Sequence, residues 1–115
     1  MCPDSRRDME KRYKLVVYVP ETHTEIVRDA MGDAGAGVIG NYTHCMFTVA
    51  GTGQFKPGPG ADPTIGEIGK LEHVAEDRIE TVCTADRLRP VLAAVRKVHP
   101  YEEPAIDVYP IELVT

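Results

Sequence analysis

The chain has 115 residues, 43% of them hydrophobic and 27% charged, which fits one globular domain with a single modest core. A net charge of −5 without a basic stripe argues against nucleic acid as a partner. Three cysteines with no C-x-x-C pair argue against a disulfide framework or a cysteine-only zinc site, and they set the expectation of a reducing compartment, the cytoplasm.

The opening "MCPDSRRDMEKR" is polar and no apolar h-region follows it, so it does not read as a secretory signal. Residues 1–12 are expected as a flexible tail and residues 13–115 as one domain. "LVVYV" is far too short to cross a membrane, and no membrane partner is expected. "YKLVVYV", Tyr13 to Val19, is β-branched and aromatic and stops at Pro20, which predicts a strand. Leu15, Val17 and Val19 belong to one face of it, Val16 and Tyr18 to the other. Hydrophobicity on both faces predicts cover on both.

After Pro20, Ile26, Val27, Ala30, Met31 and Ala34 recur at helical spacing. Thr22 and Glu25 match a capping box, which puts the helix start near Thr22. "GAGVIG" then presents Gly-x-Gly-x-x-Gly on Gly35, Gly37 and Gly40. Those letters bind a dinucleotide only between a strand and the helix it opens. Here they follow a helix and lead into a strand, so they are predicted to end the helix, with positive φ at Gly35 or Gly37.

"THCMFTVAG" predicts the second strand, with Cys45, Phe47 and Val49 on one face and His44, Met46 and Thr48 on the other. Cys45 and Cys83 are expected in the core. From Gly51 to Gly66, five glycines and three prolines predict a long loop. Phe55 and Ile65 are its only apolar anchors, so it should be mobile or held by a neighbouring subunit. "EIGKLEHV" suggests a strand piece before a bend, and "DRIETVCT" the third strand; His73 reads as a surface residue. "ADRLRPVLAAVRKVH" is a second helix with Leu88, Val91, Leu92, Val95 and Val98 as its apolar stripe. Asp86 as its N-cap would leave Pro90 within the first turns. "PAIDVYPIELV" closes the chain as a fourth strand, interrupted at Pro110.

The order β-α-β-β-α-β predicts a ferredoxin-like α+β sandwich: an antiparallel sheet, first and third strands central, two helices on one face. One helical layer leaves the other sheet face open, which predicts a partner subunit there.

"HPYEEPAIDVYPI", His99 to Ile111, resembles the C-terminal signature of CutA-type divalent-cation-tolerance proteins. A longer resemblance, over roughly Tyr13 to Glu112, is to the inserted middle domain of YqfO-like members of the Nif-three-like dinuclear-metal family. It is carried by "YKLVVYVPE", "GAGVIGNYTHC", "GTGQFKPGPGADPTIGEIGKLE", "RIETVC" and "HPYEEPAIDVYPIE". The resemblance implies a stand-alone relative of that domain with a CutA/PII-like fold that assembles as a homotrimer. It does not imply the dinuclear metal site, whose ligands belong to flanking domains in that family.

The fold would gather His99, Glu102 and Glu103 at one pole, with Glu21 and His23 just after the first strand. A histidine among carboxylates is a site for a divalent transition metal, with His99 and Glu102 as ligands. The competing reading is structural: His99 ends a helix, where a cation complements the dipole, and Tyr101, Pro100 and Pro104 shape a turn. Tyr101, Glu103, His23, Glu21 and Lys56 would line a ligand cleft at a subunit boundary. The function expected is a non-catalytic module that binds a small ligand or metal ion. The alternatives are a metal-dependent hydrolase and a purely structural assembly domain. No nucleophile–base arrangement is evident in the sequence.

Overall fold

The computed structural model describes residues 11–112 and residue 114. Most of the expected N-terminal tail lies outside these residues. Strand β1 is Arg12–Pro20, followed by a 3-10 turn, Glu21–His23, and helix α1, Thr24–Asp33. Strands β2, Met46–Phe55, and β3, Glu72–Thr84, form a long hairpin; helix α2, Ala85–Val98, and strand β4, Ile106–Ile111, complete the fold. The sheet is antiparallel in the order β2-β3-β1-β4. This is the ferredoxin-like arrangement, with β1 and β3 central.

The core lies between the sheet and the helices. Leu15, Val17 and Val19 of β1 meet Ile79 and Cys83 of β3, Val27 and Met31 of α1, and Val91 and Val95 of α2. These residues alternate along the strands and recur every three or four along the helices, as burial of one face requires. Leu88, Leu92 and Val98 pack around them, so the α2 stripe is as expected. Ile26, placed on the buried face of α1 by its spacing, is instead exposed. Cys83 is in the core, and burial, aided by Asp86, pushes its thiol up to about 11.

Among the described residues no helix covers the opposite face of the sheet, yet Val16 is fully buried there. In register it stands between Glu80 and Asp107. Lys14 and Arg78 both pair with Glu80, and the Arg78 guanidinium sits 5.8 Å above the Tyr18 ring. Long charged side chains cover apolar surface with their stems and keep their heads in water. The apolar outer face of β1 is therefore not, by itself, a demand for a partner. The exposed apolar groups of this face lie further out, at Phe47 and Val49 of β2 and Tyr109 of β4.

Several local expectations are corrected. The Thr22–Glu25 capping box does not form: Thr22 Oγ1 bonds His23 Nδ1, and α1 opens after His23 without a side-chain cap. Thr84, not Asp86, precedes α2. Pro90 is then the sixth helical residue and removes one bond, to the Asp86 carbonyl. His44 and Cys45 precede β2 rather than lying on it. His44 adopts φ 58°, with Nε2 3.0 Å from Asp33 Oδ1. Cys45 is half-buried and outside the core. β3 runs unbroken for 13 residues, without the expected bend. Gly51 to Phe55 continue β2, in register with Glu72 to Glu76 of β3. The connection between the hairpin strands is thus residues 56–71.

"GAGVIG" behaves as its context predicts. Gly35 and Gly37 have φ of 113° and 80°. Gly35 N–H donates to Gly32 O and Ala36 N–H to Met31 O, the paired bonds of a Schellman stop. Gly37 N–H then donates to Val82 O, and Gly37 O accepts from Cys45 N–H, stitching the turn to the sheet.

Candidate ligand cleft

Helix α2 ends at His99, whose backbone N–H still donates to Val95 O. The "HPYEEP" segment then turns across the end of β1. His99 is 7% exposed, and both ring nitrogens are engaged. The Tyr101 backbone N–H donates to Nδ1 at 3.1 Å, and Nε2–H donates to the Tyr18 carbonyl at 2.7 Å. A backbone N–H can only donate and a carbonyl only accept, so these partners define the neutral tautomer with the proton on Nε2. Burial lowers the His99 pKa, against the opposing pull of the Tyr18 carbonyl and Glu76. Among the described residues, no three His, Cys, Asp or Glu side chains converge on a point that a metal ion could occupy.

Tyr101 follows from this anchor. Its hydroxyl donates to Glu76 Oε2 at 2.8 Å, its ring meets Phe55 edge-on at 5.9 Å, and it leans on the His99 ring at 5.2 Å. Burial and the Glu76 carboxylate push the Tyr101 pKa well above the usual phenol range, so the hydroxyl stays a donor. The Glu76 side chain lies over Gly53 in the facing strand. A Cβ at Gly53 would collide with the carboxylate, which gives this strand glycine a purpose.

The connection after β2 folds back over the same turn. Thr64 Oγ1 donates to the Pro100 carbonyl at 2.7 Å, and Asp62 N–H donates to Glu102 Oε1 at 3.2 Å. These anchors lie within the chain, whereas the loop was expected to be mobile or held by a neighbouring subunit. Between the 56–71 connection and the sheet is a cleft of about 330 Å³, walled by Tyr18, Phe55, Tyr101, Lys56 and the carboxylates Glu76, Glu102 and Glu103. Four of the expected residues thus meet: Tyr101, Glu102, Glu103 and Lys56. His99 braces the wall from behind without lining it. His23 is near enough to affect the His99 charge but does not line the cleft, and Glu21 is exposed in the 3-10 turn outside it.

Glu76, Tyr18 and Phe55 were not anticipated as lining residues. Phe55 carried a signal, as the only aromatic in the glycine–proline stretch. Glu76 carried none, because its role depends on partners at positions 53 and 101.

No family model matches the chain. Over 102 residues it is 57% identical to a GTP cyclohydrolase 1 type 2 homolog of Halalkalibacterium halodurans, covering 89% of the chain and 27% of that protein. A protein of the same name from Mycobacterium tuberculosis is 55% identical over 96 residues, covering 84% of the chain and 25% of that protein. The chain therefore spans about a quarter of the length of the curated relatives it matches. A Bacillus cereus protein related to NIF3 superposes with a TM-score of 0.80 at 52% identity, over 90% of this chain and 26% of that one. CutA from Archaeoglobus fulgidus superposes at 0.66 with 17% identity, over 90% of this chain and 87% of that one. GlnK from Bacillus subtilis, solved as an ATP complex, superposes at 0.61 with 13% identity, over 89% and 83% of the two chains. The chain is a relative of one domain-sized segment of the NIF3-related proteins, and it has the fold of CutA and of GlnK.

Proposed function

We propose that this domain is a non-catalytic binding and regulatory module that self-associates as a homotrimer and takes a small ligand in the cleft between the 56–71 connection and the His99–Ala105 turn. The carrying observation is the cleft itself, of about 330 Å³, assembled from two chain segments that hydrogen bonds hold together. Pockets of this size with apolar walls and a few convergent polar groups are the usual form of a small-molecule site. Among the described residues its lining has no Ser, Cys or His, and the Thr64 hydroxyl is committed to Pro100 O, which speaks against a hydroxyl or thiol nucleophile paired with a histidine base. A metal held at His99 would displace either the Tyr101 N–H from Nδ1 or the Tyr18 carbonyl from Nε2, so the metal reading is the weaker one.

Support for self-association comes from the open sheet face. Phe47 and Val49 are 65% and 48% exposed there, and Arg78 Nε is buried with no hydrogen-bond partner among the described residues. The outer side of β2 is also an edge with no strand paired to it among the described residues, which closed symmetry would protect. Light scattering is expected to give about three times the 12.7 kDa chain mass; a monomer at micromolar concentration would refute the assembly. Backbone amide NMR with ATP, divalent metal ions and small organic ions tests the cleft. Shifts confined to residues 54–65, Glu76 and 99–105 support the binding reading, and no shift there with any of them removes it.

A further inference from the structure

We propose that the cleft takes an organic cation, a primary amine or a guanidinium, cradled by the rings of Phe55 and Tyr101 and the carboxylates of Glu76 and Glu102. This rests on the reading of the cleft as a ligand site and names the chemistry of its occupant. The charged side chains lining it are three carboxylates, Glu76, Glu102 and Glu103, against one ammonium, Lys56. An anion would have to settle among those carboxylates with one exposed lysine as its counter-charge. A cation meets them on favourable terms, and the chain's net charge of −5 raises its local concentration.

The aromatic walls point the same way. A cation over an aromatic face is attracted by the ring quadrupole, more strongly as water is excluded. Tyr18 already carries the Arg78 guanidinium at 5.8 Å, which leaves Phe55 and Tyr101 as the rings open to a ligand cation. The carboxylates are also placed in advance. Tyr101 OH holds Glu76 through Oε2, and Gly53 gives that side chain room. Asp62 N–H holds Glu102 through Oε1. Each bond uses one acceptor site of a group that has about four, leaving the others for ligand N–H donors.

The test uses the whole chain and two sets of probes: methylguanidinium and spermidine as cations, glutarate and ATP as anions. Calorimetry gives affinity, and amide NMR gives location. The cations are expected to shift residues 54–65, Glu76 and 101–105, and the anions are not. Glu76→Gln and Glu102→Gln should each weaken methylguanidinium binding about ten-fold, as loss of a charge-assisted bond predicts. Phe55→Leu should weaken it without changing any charge. Urea midpoints on each variant separate lost binding from lost folding. If the anions shift the cleft and the cations do not, the cation assignment falls while the ligand site stands. If neither set shifts it, both fall. Cation shifts scattered over the acidic surface and unchanged in the variants would also overturn the assignment.

Discussion

The two faces of the sheet are buried by different means. Toward the helices, Leu15, Val17, Val19 and Ile79 meet aliphatic partners in a dry layer. Toward the open side, Val16 is just as buried, but beside charged groups, with Lys14 and Arg78 converging on Glu80. Full burial in one strand thus arises from rigid packing on one face and from movable stems on the other. Solvent exposure alone does not distinguish them; their response to substitution does.

The largest difference should come from deletion on the helix face. Ile79→Ala is expected to destabilise by about 2–5 kcal/mol in urea denaturation, because packed neighbours cannot collapse into the space. Next is Gly37→Ala, at the seam between helix layer and sheet. Its φ of 80° and the Cys45 backbone atoms 2.6 Å from the new Cβ predict a loss of about 2 kcal/mol by the same assay. On the open face, Val16→Ala should be milder, about 1–2 kcal/mol for the two carbons removed, since Lys14 and Arg78 can settle inward. A loss equal to that of Ile79→Ala would show both faces to be equally rigid and break the contrast. Phe47→Ala should lower the mass seen by light scattering, and in samples dilute enough to be monomeric it should change the unfolding free energy by less than about 0.5 kcal/mol, as at other exposed positions.

The smallest effect is a slope with pH, set by His99 at the end of the sheet. Its pKa is lowered in the fold, so the unfolded chain binds the proton more readily. Stability should be fully present above pH 6.5, the ordinary histidine value, and should fall as pH drops through it. Denaturation midpoints between pH 5 and 8 measure this, and His99→Gln should flatten the curve. A midpoint that rises on acidification would contradict the neutral, doubly bonded ring.

Much of the fold was legible in the sequence because burial imposes periods. The alternation in Tyr13 to Val19 and the stripe from Leu88 to Val98 gave β1 and α2, and the helix–glycine–strand context disposed of the dinucleotide reading. Features set by distant partners were not legible. Gly51 and Gly53 looked like loop residues because no local signal shows that β2 is an edge strand or that Glu76 needs the space. The His99 ring is defined by a carbonyl 81 residues earlier in the chain. Half of the cleft followed from "HPYEEP"; the other half depends on where β3 brings Glu76. The capping box failed for a local reason: Thr22 hydrogen-bonds its neighbour His23, and the helix starts one step later.

The register of β1 has a consequence for how such a unit is carried. Arg12 pairs with Thr84 on one side and with Ile111 on the other. The first and last strands of the fold are sheet neighbours, so the points where the backbone enters and leaves lie about 5 Å apart, one antiparallel step. A polypeptide can make this excursion and return almost to where it left. A host fold would be interrupted at one junction and nowhere else, without stretching its own connections. The same geometry would let residues 111 and 12 be joined by a short linker and the chain reopened elsewhere, because the sheet holds those ends together whether or not a covalent bond does.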